Sequence, residues 1–201
     1  MSQLFNLDCF YGTERIMSNL AIKQATYQDI IDLPENMVGE IINGQLEAHP
    51  RPAPKHAVAS SSLGAELVSP FQKGRGGPGG WWIIDEPECH LGAHVLVPDI
   101  AGWRKQKMPV LPKTAWFDLV PDWVCEILSP STARLDRIVK MPLYAQLGVT
   151  HLWLIDPNLQ TLEAYQLHNS HWLLIGTFAN DQAVSIAPFA EHTFLLSDLW
   201  E

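Results

Sequence analysis

The stretch Trp123–Leu128 constrains this chain more than any other. Val124, Cys125, Ile127 and Leu128 make an apolar run of strand length, and Glu126 stands inside it. An ionised carboxylate in a buried strand is costly unless something pairs with it. Ser129-Pro130-Ser131-Thr132 then breaks the strand and offers helix caps. Leu135, Ile138 and Val139 resume at helical spacing, with Lys140 on the same element. Upstream, the apolar run Val95-Leu96-Val97-Pro98 ends in a second carboxylate, Asp99. Two carboxylates on neighbouring buried strands, with a lysine close by, are the donors a divalent-metal site needs.

Composition narrows what can surround that unit. A chain of 201 residues suffices for one sizeable core, so residues 21–201 are expected to form a single domain. Only 17% of the residues are charged, which fits a filled α/β interior rather than disorder. The formal net charge of −9 argues against a protein that coats nucleic acid by bulk charge. It leaves room for a nuclease with a local basic rim, because a bound metal offsets part of the acidic field. Cys9, Cys89 and Cys125 are odd in number and far apart, the pattern of buried thiols in a reducing compartment. No apolar run approaches the roughly 20 residues that span a bilayer, and no secretory leader is visible, so no membrane association and a cytoplasmic location are expected. Met17 reads as a second start, which would make residues 1–20 a loosely ordered extension.

The elements follow in order. Ala25–Leu33 reads as a short helix capped by Thr26 and closed by Pro34. Asn43-Gly44 between apolar segments predicts a hairpin, with Glu40 on its first strand. His56–Phe71 carries a helical stripe of Val58, Leu63, Leu67 and Phe71. A glycine-rich loop over 73–80 lacks the strand and the Lys-Ser or Lys-Thr pair of a P-loop. Strands are expected at Trp81–Ile84, to Leu91, over Val95–Trp103 with Asp99 inside, at Trp123–Leu128 and at His151–Asp156. Arg134–Leu147 reads as a helix that Pro142 kinks or delays. Thr161–Leu167 and Trp172–Phe178 alternate as a hairpin, and Phe194–Trp200 is expected to pack back on the sheet.

Hydrolysing a phosphodiester requires an activated water, neutralised phosphoryl oxygens and a stabilised leaving oxygen. A hard divalent ion held by carboxylates supplies much of this, and a lysine can hold the water or the phosphate. Asp99, Glu126 and Lys140 fit that division of labour. Plainer roles stand beside it. Asp99 could cap a strand end, and Glu126 could form a structural ion pair with Lys140. Glu40 could pair with Arg51 or Lys55, Asp136 could serve the helix dipole, and His56 could be a cap or surface residue. His90 and His94 lack a third ligand at fixed spacing, so zinc is not expected.

Taken together, Pro98-Asp99 followed by Glu126-Ile127-Leu128 resembles the PD-(D/E)XK nuclease pattern. Within that superfamily the chain resembles the Uma-type restriction-endonuclease family. The likeness rests on Gly39–Leu46, His56, Pro98-Asp99-Ile100, Asp122–Thr132, Asp136–Lys140, Tyr144–Val149 and Trp153–Pro157, in that order. One position departs from the superfamily: Leu128 stands where its lysine would be, and Lys140 on the following helix takes that place, as in the resembling family. The resemblance implies a mixed central sheet of the restriction-endonuclease-like α/β class, flanked by helices, with an N-terminal helix and hairpin and a C-terminal β-hairpin extension. It implies Asp99 and Glu126 as ligands to Mg²⁺, with Mn²⁺ as a substitute, and the backbone carbonyl of Ile127 as a further ligand. It implies Lys140 as the migrated lysine and Glu40 as an auxiliary acid. The expected activity is metal-dependent cleavage of DNA. The rival readings are a binding module that has lost catalysis and a hydrolase of small phosphoesters. A homodimer is expected to use the apolar edge offered by Trp172 and Phe178.

Overall fold

Asn43 and Gly44 both take positive φ, 52° and 74°, which is what a tight two-residue hairpin turn demands. They join β1 (Met37–Ile42) to β2 (Gln45–Pro50) in the computed structural model, which describes residues 24–200. The expected extension over residues 1–20 lies outside the described residues, and so does Cys9. Ahead of the hairpin, α1 (Tyr27–Ile31) starts at Thr26, whose backbone N–H donates to the Asp29 carboxylate at 2.7 Å. After it, Pro54 occupies the first turn of α2 (Pro54–Leu67), where a missing N–H does no harm. This helix opens two residues before His56 and runs on through a π-helical turn, Val68–Gln72.

The remaining strands are β3 (Trp81–Asp85), β4 (Cys89–Leu91), β5 (His94–Leu96), β6 (Ile100–Arg104) and β7 (Trp123–Ile127). Then come β8 (His151–Asp156), β9 (Thr161–His168), β10 (His171–Ala179) and a short antiparallel pair, β11 (Ala183–Val184) and β12 (Phe194–Leu195). Six of them form a mixed sheet in the order β10-β9-β8-β7-β6-β3, in which only β7 and β8 are parallel. A parallel neighbour requires a crossover. It is built by α3 (Ala133–Leu135), a π-helical turn Asp136–Lys140 and α4 (Met141–Leu147), closed by Gly148 at φ 84°. Four strands form a second sheet, β2-β1-β5-β4.

Two apolar layers cover the six-stranded sheet. Trp81, Ile83, Trp123, Cys125, Ile127 and Trp153 pack with α2 and with Phe189, Phe194, Leu196 and Leu199 of the returning C-terminal segment. Val124, Leu128, Leu152 and Leu154 pack on the other side with Leu143 and Tyr144 of α4 and with Leu91 and Leu96 of the small sheet. Gly102 is set by contact: a Cβ there would lie 3.2 Å from Trp123 and 3.3 Å from Trp81. The Cys89 and Cys125 thiols are buried and free, and burial raises both, Cys89 to about 12.

Three expectations change. Val95–Trp103 is two strands in two different sheets, not one. Val97-Pro98-Asp99 is the joint, because Pro98 has no N–H for a ladder and Val97 N–H goes to the Glu40 carboxylate instead. Arg134–Leu147 is not one continuous α-helix: α3 gives way to the π-turn, and α4 starts late, at Met141, with Pro142 in its first turn. The π-turn ahead of it carries the Met141 N–H to the Asp136 carbonyl, so the wider spacing is already in place where Pro142 lacks a donor. Trp172 and Phe178 are not an apolar edge. Both are half-buried in their own chain, and Trp172 Nε1 donates to the Met141 carbonyl at 2.8 Å. The exposed apolar residues of β10 are Leu173 and Leu174. The hairpin they belong to turns at Asn169-Ser170, both at positive φ.

Candidate active site

Strand register brings the two carboxylates together. β6 and β7 are antiparallel with Ile100 opposite Cys125, so Asp99, the residue before β6, falls across from Glu126 on the same face. Along β7 the odd-numbered residues face α2, which leaves Glu126 with Val124 on the α4 side.

Both oxygens of Asp99 are held. Oδ2 accepts the Ile127 N–H at 2.7 Å, and Oδ1 is 3.2 Å from His56 Nε2 on the first turn of α2. The Asp99 carbonyl accepts the N–H of Glu86, a residue at φ 42°. Glu126 is 2% exposed. Its Oε1 lies 2.8 Å from Lys140 Nζ and accepts the Tyr144 hydroxyl at 2.5 Å. Lys140, equally buried, also reaches Glu40 Oε1 at 3.0 Å and lies 3.9 Å from Asp136 Oδ1. Glu40 is placed by the hairpin and held by the Val97 N–H at 2.7 Å. Its second oxygen, Oε2, is buried without a hydrogen bond, 3.8 Å from His49 Nε2.

These groups surround one cavity of about 270 Å³. His49, His56, Asp99, Glu126, Asp136 and Lys140 line it, and the Ser129–Thr132 turn forms part of its rim. Glu40 sits behind Lys140 rather than on the wall.

Burial dominates the electrostatics. Three buried carboxylates, Glu40, Glu126 and Asp136, face the single ammonium of Lys140. Burial pushes Glu126 well above the usual carboxylate range against the pull of Lys140, and raises Asp136 to about 6. Glu40 is held below its ordinary value: burial works upward, but Lys140, His49 and the Val97 N–H together outweigh it. Burial alone would lower Lys140, yet Glu126, Glu40 and Asp136 raise it well above its ordinary value.

That excess of buried carboxyl groups over ammonium, together with the orphaned Glu40 Oε2, fits an additional cation, whose charge would favour the ionised forms that burial disfavours. Among the described residues, no three His, Cys, Asp or Glu side chains are grouped to cage an ion unaided. Two facing carboxylates beside an open cavity suit an ion that keeps several waters, as Mg²⁺ does. His90 and His94 are engaged elsewhere, His90 with Glu88 at 2.7 Å and His94 with the Asn43 N–H.

All four residues singled out in the sequence therefore meet in one cluster. Three further residues belong with them. His56 faces Asp99 instead of solvent, Asp136 is buried against Lys140, and Tyr144 holds Glu126. The last two carried a readable signal, since Asp136, Lys140 and Tyr144 recur every four residues. His56 carried only its place in the matched motif order, because its partner is 43 residues away. Three basic residues at and after the end of β6 are engaged locally: Arg104 stacks over Trp81, Lys105 over Trp82, and Lys107 pairs with Asp122 at 3.3 Å.

Residues 25–197 match the family Uma2, described as putative restriction endonuclease. A solved structure, described as a putative nuclease belonging to DUF820 from Anabaena variabilis ATCC 29413, superimposes with a TM-score of 0.69 at 26% identity. The match covers 88% of this chain and 97% of that one. No curated protein matches the sequence.

Proposed function

The chain belongs to the Uma2 restriction-endonuclease family, and from that membership we propose that it is a metal-dependent DNA endonuclease working at the Asp99–Glu126–Lys140 cavity. The observation that carries this reading is the convergence of two carboxylates from neighbouring strands and a buried lysine on one open cavity. Asp99 and Glu126 would hold Mg²⁺, with Mn²⁺ as a substitute. When bound, such an ion polarises the phosphoryl oxygens and acidifies its water. Lys140 holds the attacking water from the inner wall and sets a positive charge beside the scissile phosphate. Glu40 fixes Lys140 from behind, so the ammonium cannot swing away from the cavity. Ile127 N–H and His56 fix the Asp99 carboxylate.

With a net charge of −9, DNA affinity is expected to be modest and strongly salt-dependent. Purified protein is expected to nick plasmid DNA with Mg²⁺ or Mn²⁺, and Asp99→Ala and Glu126→Ala are each expected to abolish nicking. Undiminished cleavage by both variants would remove the cavity from the mechanism. Leu128, buried where the superfamily keeps its lysine, and the net charge of −9 favour the alternative of a module that has lost catalysis. On that alternative, the wild-type protein binds no divalent ion and cuts nothing.

A further inference from the structure

Tyr144 does not line the cavity, yet it makes the shortest polar contact in the cluster. It stands four residues after Lys140, which stands four after Asp136. In a regular α-helix of 3.6 residues per turn, side chains four apart drift steadily around the axis. A π-turn holds more residues per turn, so four residues fall short of a full circle and the drift reverses. The π-turn Asp136–Lys140 followed directly by α4 therefore keeps Asp136, Lys140 and Tyr144 close to one line. That line faces Glu126, and both donors on it, the Lys140 ammonium and the Tyr144 hydroxyl, go to the same oxygen, Oε1. The other oxygen, Oε2, is left for whatever enters the cavity that Glu126 lines.

We propose that Tyr144 is a positioning residue: by holding Glu126 Oε1 it turns Oε2 toward the cation and so sets the affinity of the site for its metal. The proposal rests on the metal-dependent reading above and assigns to this chain a determinant of metal binding that touches neither ion nor substrate. A carboxylate with one oxygen pinned by two donors cannot rotate to offer both oxygens. Among the described residues, losing the phenol leaves Lys140 as the one donor that orients it. Outer partners of this kind alter metal affinity by about 10–100-fold when removed.

The test is Tyr144→Phe, which keeps the ring in its apolar layer and deletes one oxygen. Mn²⁺ binding to the full chain is measured by calorimetry, and DNA cleavage is followed as a function of Mg²⁺ concentration. The expected result is Mn²⁺ affinity about 10–100-fold weaker than wild type, with cleavage restored by raising the metal concentration. A purely structural tyrosine would not give metal rescue. Wild-type affinity in Tyr144→Phe overturns the proposal while leaving the nuclease reading intact. Wild-type protein that binds no Mn²⁺ overturns both. If Tyr144→Phe does not fold, the wild-type side chain can be read directly. Ring-fluorinated tyrosine is placed at 144 alone, with the other three tyrosines changed to phenylalanine. Its resonance is expected to move as Mg²⁺ is added, and a resonance indifferent to saturating Mg²⁺ overturns the assignment.

Discussion

Lys140→Met is the sharpest probe of the cluster. Lys140 is the one ammonium within 4 Å of Glu40, Glu126 and Asp136 among the described residues, and all four side chains are almost fully buried. Methionine matches the length of the side chain, so the change removes charge and donors more than volume. Breaking a buried ion pair from one side costs about 3–5 kcal/mol, because the partner is left charged and unpaired. In a domain of this size that corresponds to roughly 6–20 °C in Tm. The loss is expected to depend on pH. Asp136 is raised to about 6 and Glu126 well above its ordinary value, both chiefly by burial, and removing the ammonium raises them further. A group whose folded pKa lies above its unfolded value contributes stability that is complete below the unfolded pKa. That stability is lost as pH rises through the folded pKa. The variant's deficit is therefore expected to grow as pH rises through about 6, where Asp136 ionises, and to persist in part at acid pH, where Glu40, held below its ordinary value by Lys140, is still charged in the wild type. Urea unfolding followed by the fluorescence of the eight tryptophans measures both. Adding Glu40→Gln to Lys140→Met is expected to recover part of the loss. A deficit below about 1 kcal/mol at pH ~8, or one independent of pH, would refute the account of Lys140 as the hub of this charge cluster.

Two further outcomes test the fold around the site. Gly102→Ala is expected to cost about 1–3 kcal/mol in urea unfolding, because its Cβ has to displace the Trp123 or Trp81 ring; a neutral result would mean those rings yield freely. Glu163 accepts both guanidinium nitrogens of Arg137, at 2.8 and 2.9 Å, and the Tyr165 hydroxyl; the Arg137 bond chiefly holds its carboxyl below the ordinary 4.5. Its contribution is therefore present above pH 4.5 and is lost as pH falls through the lower folded value. Glu163→Gln is expected to remove that acid-side slope and, because the pair is part-exposed, to cost at most about 1 kcal/mol at neutral pH.

The acid in an apolar strand, the Asn-Gly turn and the broken run before Leu135 are local signals. Each depends on near neighbours in the chain, through period-two burial, positive φ or capping, so the sequence alone established the hairpin, the β7 strand and the helix that follows it. It also named Asp99, Glu126, Lys140 and Glu40 as a group, because their order along the chain matched a family pattern. What it could not supply is any fact that depends on which strands become neighbours. Val95–Trp103 looks continuous because both halves are apolar, yet its two ends satisfy their hydrogen bonds in different sheets. His56 looked like a surface residue because its partner, Asp99, is reached only after α2 packs across β6 and β7. Tyr144 stood in a matched motif, but its hydrogen bond to Glu126 depends on a carboxylate one strand away and on a π-turn that no short-range propensity specifies. Sequence thus determined which groups are present and what each does to its own few residues of backbone. The third dimension decided which of them share a buried volume, since burial without water is what makes a charge seek one particular partner.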